Sequence, residues 1–175
     1  MKFHICETEL GWIGVVFTPA GLSATTLPHR LRDGALGEVL ALGAREEAPE
    51  SELNGPSAEL RAGLADRLRR YARGEAVVFA DTLDFDGVSP FLRAVWEATR
   101  DIPHGQTASY GGLAARVGRP GAARAVGQAM ARNRWPLVVP CHRVVAGDGS
   151  LGGYGGGLDM KERLLRLEGA ALPVS

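Results

Sequence analysis

The chain opens with short runs of β-branched and aromatic residues and turns to helical spacing further on, so its pattern predicts strands first and helices afterwards. Phe3-His4-Ile5-Cys6 and Trp12-Ile13-Gly14-Val15-Val16-Phe17 are divided by polar and glycine positions and read as strands of a hairpin or meander. Leu22 to Leu27 predicts a third strand that stops at Pro28. From Asp33 to Ala44, the positions Leu36, Val39, Leu40 and Gly43 recur at helical spacing and predict a short amphipathic helix. Arg45–Pro56 is acidic and loop-like. Ser57 has the character of an N-cap, with Leu60, Leu64, Leu68 and Tyr71 on one face of a helix ending near Gly74. Ala76-Val77-Val78-Phe79 predicts another strand, and Asp81–Gly87 a turn-rich connector.

Beyond residue 86 the pattern is mostly helical. Ser89-Pro90 pairs an N-cap with a proline at the first helical position, and Phe91, Val95 and Trp96 form the apolar face of a helix that ends at Ile102-Pro103-His104-Gly105. Ser109 caps a second helix, Tyr110 to Val117, with Leu113, Ala114 and Val117 inward. Gly118-Arg119-Pro120-Gly121 turns into a third helix, Ala122 to Arg132, and the pair makes a helix-turn-helix pattern. Leu158 to Glu168 predicts a last amphipathic helix resting on Leu164, Leu165 and Leu167. The chain therefore reads as α+β in two domains: 1–86, a small α/β domain with an antiparallel sheet, and 87–175, a mostly helical one.

Charge changes this picture by giving the second domain a partner. The whole chain is neutral, but residues 1–86 hold 9 Lys+Arg against 14 Asp+Glu (−5), and residues 87–175 hold 11 against 6 (+5). No acidic residue lies between Asp101 and Asp148, where Arg116, Arg119, Arg124, Arg132, Arg134 and Arg143 occur. Such a stretch builds local positive potential that attracts polyanions, and nucleic acid leads among them. No apolar run is long enough to cross a membrane. Met1 to Leu10 lacks the apolar core of a secretory leader, which points to the cytoplasm. Cys6 and Cys141 lie far apart and form no disulfide framework. His4, Cys6 and His29 tempt as zinc ligands, but a fourth ligand and the short paired spacings are missing, so no metal is expected.

Pro140-Cys141-His142-Arg143-Val144-Val145 follows the apolar run Leu137-Val138-Val139 and is the candidate centre of the chemistry. It sets an imidazole and a guanidinium beside a thiol, and a neighbouring cation favours the nucleophilic thiolate. Taken alone, such a cysteine is more often a small buried hydrophobe than a nucleophile. The third helix, Ala122 to Ala131, offers few long polar side chains to read base edges in a major groove. Its alanines and glycine let it approach a narrow minor groove closely, with Arg124 as the one long charged side chain near its start; they also fit a merely well-packed helix. Seven glycines lie between Gly147 and Gly157, broken by Tyr154, and leave backbone amides open to a ligand. They lack the placement and the lysine of a phosphate-binding loop.

Over residues 89–173 the chain resembles the O6-alkylguanine-DNA alkyltransferases. The resemblance rests on Ser109-Tyr110, Arg124-Ala125-Val126-Gly127, Asn133, Pro140-Cys141-His142-Arg143-Val144-Val145, Gly152–Leu158 and Leu165–Gly169, in that order. It implies a ribonuclease H-like N-terminal domain and a winged-helix-like C-terminal domain carrying the helix-turn-helix. It implies a single-turnover methyltransferase of DNA repair, in which Cys141 accepts the alkyl group of O6-methylguanine, and possible relatives of that lesion such as O4-methylthymine. It implies that His142 draws the thiol proton through a water, that Glu168 orients His142, and that Asn133 stabilises the turn carrying the cysteine. Tyr110 would meet the flipped nucleotide and donate toward guanine N3. Arg124 would enter the duplex and fill the vacated space, with Ala123, Ala125, Gly127 and Gln128 also on the DNA. Met130, Val144 through its carbonyl, Tyr154, Gly155 and Gly156 would complete the pocket, Gly155 standing where some relatives have a serine. No cofactor is implied. The implied partner is double-stranded DNA containing an alkylated guanine, met by a monomer away from any membrane.

Two other readings predict different outcomes. A non-enzymatic sensor of alkylated bases would replace the acceptor cysteine, which is present here. A Cys–His hydrolase would turn over a small acyl substrate and leave the protein unchanged in mass.

Overall fold

The computed structural model describes residues 1–46 and 56–171. The chain divides into two compact units, 1–84 and 85–175. In the first, strands β1 (Lys2–Thr8) and β2 (Gly11–Thr18) form an antiparallel hairpin in the register Phe3 with Val16 and Cys6 with Ile13. Strand β3 (Gly21–Thr25) pairs antiparallel with β2, and the two-residue β4 (Arg45–Glu46) pairs parallel with β1, giving the order β3-β2-β1-β4. Helix α1 (Arg32–Ala41) lies on the sheet, where Phe3, Val16, Ala24, Val39 and Ala44 form one buried cluster. Gly14 permits this approach: a Cβ there would come within 2.5 Å of Val39 Cγ1. Cys6 faces away from that cluster toward Arg69 of helix α2 (Pro56–Ala72), and burial pushes its thiol up to about 11, as suits an inert core cysteine.

Several expected elements shift. Helix α1 stops before Ala44 because Gly43 takes φ 74°, and the amides of Gly43 and Ala44 bond back to Leu40 and Val39. Its buried positions are Ala35 and Val39, while Leu40 is exposed. Pro56 opens α2, so Ser57 sits inside the first turn rather than at its cap. Leu64, Leu68 and Tyr71 are buried as their spacing predicts. The acidic loop beyond Glu46 and the side chain of Leu60 lie outside the described residues. Ala76–Phe79 forms no strand. Phe79 packs edge-on against Tyr71 and Val78 is exposed, because the chain finds a sheet edge only later, where Leu83 pairs with Leu22 of β3. A β-rich run without an edge to join remains coil.

The second unit is built from helices α3 (Pro90–Arg100), α4 (Tyr110–Arg116), α5 (Ala123–Ala131) and α6 (Leu158–Leu167), with the short parallel strands β5 (Ala108–Ser109) and β6 (Val144–Val145). Ser89 and Ser109 cap α3 and α4 as predicted, accepting from the amides of Leu92 and Gly112. Gly118, at φ 71°, ends α4 with amide bonds from Gly118 to Ala115 and from Arg119 to Ala114, and the chain turns directly into α5. Trp135 anchors the core, edge-on to Trp96 and to Phe85 at 5.2 and 5.3 Å between centroids. The fold is thus mixed helix and sheet, with a small antiparallel sheet in the first unit and a mostly helical second unit.

Candidate active site

The site forms where the chain runs from α5 back to β6. Pro140 has φ −78° and ψ 66°, the geometry of an inverse γ-turn, and the Cys141 amide closes it onto the Val139 carbonyl at 2.8 Å. Proline suits this place because its ring already fixes φ near that value. A single turn of 3-10 helix, Cys141–Arg143, follows and leads into β6. Asn133 braces the approach: Nδ2 donates to the Val139 carbonyl at 2.8 Å and Oδ1 accepts from the Trp135 amide at 3.0 Å. Leu137 between them holds φ 72°, the one positive φ outside glycine among the described residues. That strain, of order 1–3 kcal/mol, persists because Leu137 is locked in the core.

Cys141 and His142 are both buried. Burial pushes the Cys141 thiol up; hydrogen bonds from Asn133 and Tyr154, the charge of Lys161 and the local backbone amide oppose this. The His142 ring gives Nε2 to Glu168 Oε1 at 2.7 Å. Glu168 also takes the fork of Arg143, Nε to Oε2 at 2.8 Å and Nη2 to Oε1 at 2.9 Å, and the Gly105 amide at 3.2 Å. Arg143 itself donates Nη1 to the Ile102 carbonyl at 2.6 Å. Burial opposes ionisation of Glu168, but these donors outweigh it and hold the carboxyl well below the usual carboxylate range. Burial likewise lowers His142, against the pull of Glu168. The charges are consistent: Arg143 already balances the Glu168 anion, so His142 stays a neutral imidazole that donates from Nε2. Its Nδ1 then carries the lone pair of a base.

Helix termini aim these groups. Glu168 is the C-cap of α6, an unfavourable place for a carboxylate against the helix dipole, and Gly169 at φ 67° ends the helix behind it. Gly105 is required where it sits, since a Cβ there would fall 2.9 Å from the Glu168 carbonyl oxygen. Tyr110 begins α4, beside the pairing of Ser109 with Val145. Its ring lies against Gly127 of α5 and Gly152 of the glycine loop, where added Cβ atoms would stand 3.9 and 3.1 Å away, and its hydroxyl donates to the Gly153 carbonyl at 3.4 Å. Burial raises the Tyr110 pKa, with the Cys141 charge adding to it, so the phenol keeps its proton.

The structure therefore sets Asn133 and Tyr154 in hydrogen-bond reach of Cys141, pairs His142 with Glu168, and stands Tyr110 against the glycine loop. Val144 and Met130 are buried, and Gly155 and Gly156 are exposed on the loop. On α5, Arg124 and Gln128 are exposed, and Ala123, Ala125 and Gly127 half-buried. Two roles are not read from the sequence. It shows Arg143 as a cation beside the thiol and not as the partner of Glu168, and it gives Lys161 no part. Among the described residues no three His, Cys, Asp or Glu side chains cluster as metal ligands, and no helix is long and apolar enough to cross a membrane.

These features define a helix-turn-helix protein with a buried cysteine next in sequence to a histidine that is held by a buried carboxylate. Residues 90–170 match the family model described as 6-O-methylguanine DNA methyltransferase, DNA binding domain. The chain is 51% identical over 114 residues to a methylated-DNA–protein-cysteine methyltransferase of Mycolicibacterium paratuberculosis, covering 65% of this chain and 68% of that one. It is 54% identical over 111 residues to the Salmonella typhimurium protein of that name, covering 63% and 64%. Among solved structures, Mycobacterium tuberculosis OGT in complex with DNA aligns with a TM-score of 0.73 and 34% identity, over 96% of this chain and 93% of the other. The chain belongs to the O6-methylguanine-DNA methyltransferase family.

Proposed function

We propose that this protein repairs DNA by direct reversal, moving the methyl group of O6-methylguanine onto its own Cys141 in a single irreversible step. The observation that carries the reading is the buried His142–Glu168 pair, Nε2 to Oε1 at 2.7 Å, next in sequence to the buried Cys141. Glu168 holds the imidazole in the tautomer whose Nδ1 is basic, and Nδ1 takes the thiol proton through a water. The Cys141 sulfur attacks the methyl carbon as the bond from that carbon to guanine O6 breaks. The electron pair stays on the guanine, which ends with the proton the thiol lost. Tyr110, kept protonated, donates toward N3 and makes guanine a better leaving group.

Asn133 holds the γ-turn that presents the thiol. The Val144 carbonyl, Met130, Tyr154, Gly155 and Gly156 surround the base, and with no side chain at Gly155 only the amide there is left to meet O6. A base inside duplex DNA cannot reach a buried thiol, so it is flipped out through the minor groove. The slim face of Ala123, Ala125, Gly127 and Gln128 approaches the backbone while Arg124 fills the gap. The same reading carries the finer fold description, ribonuclease H-like in residues 1–86 and winged-helix-like in 87–175, with the second domain binding DNA and accepting the alkyl group. It also carries a monomer acting in the cytoplasm, where thiols stay reduced.

Because a thioether is not exchanged as a disulfide is, repair is expected to plateau at about one lesion per protein molecule. Counting repaired O6-methylguanine against protein tests this, and repair continuing well past that ratio would contradict it. Arg124→Ala is expected to slow repair of duplex DNA by about tenfold or more while changing reaction with free O6-benzylguanine by less than about twofold. Single-turnover rates on the two substrates check this, and equal slowing on both would remove Arg124 from flipping.

A further inference from the structure

A cation close to a thiol is ordinarily read as an aid to the thiolate. Arg143, two residues after Cys141, is placed for a different task. Its Nε and Nη2 reach Glu168 at 2.8 and 2.9 Å, and its Nη1 reaches the Ile102 carbonyl at 2.6 Å. Glu168 in turn has four acceptor positions filled. Oε1 accepts from His142 Nε2 and Arg143 Nη2, and Oε2 from Arg143 Nε and the Gly105 amide. A carboxyl that accepts four times has no place left for a proton of its own, so Glu168 is an anion. His142, Arg143 and Glu168 are thus three ionisable side chains buried together. Burial favours a net charge near zero in such a group. With Arg143 present, a neutral His142 meets that condition. Without it, an imidazolium would.

We propose that Arg143 is a positioning residue that sets the lower pH limit of the reaction: its fork occupies the Glu168 anion, so His142 carries one proton and Nδ1 stays free to act as base. The inference rests on His142 being the base of the proposed transfer, and it names the residue that keeps it one. Glu168 alone would do the reverse, since a buried carboxylate 2.7 Å from an imidazole favours the imidazolium. A guanidinium suits the place because its planar fork matches a carboxylate with two parallel donors. The remaining arm, held by Ile102 just past α3, fixes the plane of that fork. The charges around the ring act in the same sense. Burial pushes His142 down, Glu168 pulls it up, and the charges of Arg143 and Lys161 push it down again. Lys161 meets the site from α6, its ammonium donating to the carbonyls of Val144 and Leu151.

The test follows the His142 ring by 15N NMR, assigned by its loss in His142→Gln, together with the pH–rate profile for benzyl transfer from free O6-benzylguanine, read by mass. Wild type is compared with Arg143→Lys, Arg143→Gln and the double variant Arg143→Gln/Glu168→Gln. Cys141 beside the ring, Lys161 from α6, Tyr110 from α4, Tyr154 from the glycine loop and His104 next to Gly105 are common to all four proteins. The differences therefore isolate Arg143 and Glu168. Arg143→Gln is expected to raise the His142 midpoint and the acid limb of the rate together by about one unit, slowing transfer on that limb by about tenfold. Arg143→Lys keeps the charge and holds the wild-type midpoint. The double variant brings the midpoint back down, because no anion is left to favour the imidazolium; a role in packing alone predicts no such return. A wild-type midpoint in Arg143→Gln, even with a reduced rate, would overturn the assignment, and so would a double variant as high as the single one. If Arg143→Gln does not fold, Arg143→Met is read in the same way. An imidazolium at pH 7 in the wild type would overturn it with no variant at all. Wild-type protein that holds a neutral His142 yet gains no benzyl group would instead defeat the acceptor reading.

Discussion

Cys141→Ala is expected to lower methyl transfer by at least about 10⁴-fold while leaving affinity for duplex DNA within about twofold. Displacement at a saturated carbon needs a lone pair aligned behind the leaving bond, and alanine has none. Cys6, the other cysteine, is a poor substitute, since burial pushes its thiol up to about 11. The α5 residues proposed to meet DNA do not depend on the sulfur, since that helix is held by Val126, Ala129 and Met130 in the core and by the Trp96 indole donating to the Ala129 carbonyl at 2.9 Å. The small loss of buried volume costs about 1–2 kcal/mol, too little to unfold a domain. Single-turnover transfer and a binding titration on the same duplex check both halves. Transfer at the wild-type rate by Cys141→Ala would defeat the mechanism.

Glu168→Gln is expected to damage stability and transfer together. The carboxylate accepts from His142, from both arms of the Arg143 fork and from the Gly105 amide. Removing its charge leaves Arg143 buried without a counter-ion, which costs about 3–5 kcal/mol. It also frees the imidazole to take the wrong tautomer, lowering transfer by about 10²-fold or more. The pH dependence has a definite sign. A carboxyl depressed in the folded state contributes its stability in full above its unfolded value, near 4.5, and loses it as pH falls through the lower folded value. The gap between wild type and Glu168→Gln is therefore full at pH 7, persists at pH 5 and closes only in strong acid. Urea unfolding at several pH values measures it. A gap under about 1 kcal/mol at pH 7 would mean that the network contributes little.

What could be read from the sequence depended on whether the cause was local. The β1–β2 hairpin, the Ser89 and Ser109 caps and the stop at Gly118 each follow from residues adjacent in the chain, and the structure holds them. Ala76–Phe79 has strand composition, but a strand needs an edge, and the free edge of β3 is taken further along, at Leu83. Leu40 fits the helical period, yet the sheet meets α1 along Ala35 and Val39 instead. The same limit applies to the site. The neighbours Cys141 and His142 are adjacent in sequence, and the turn that holds them is announced by Pro140. Lys161 and the Arg143 fork carry no local mark, because a charged residue on an amphipathic helix looks alike whether it meets solvent or two carbonyls. The scarcity of lysine in this arginine-rich chain was the signal available for Lys161.

The measurement that bears most directly on the central claim is the intact mass of the protein after incubation with a duplex carrying one O6-methylguanine, followed by peptide mapping. The account predicts a gain of one methyl group, located on Cys141 and absent with unmodified duplex. Repaired DNA with the protein unchanged in mass, or a methyl group on any other residue, would contradict it.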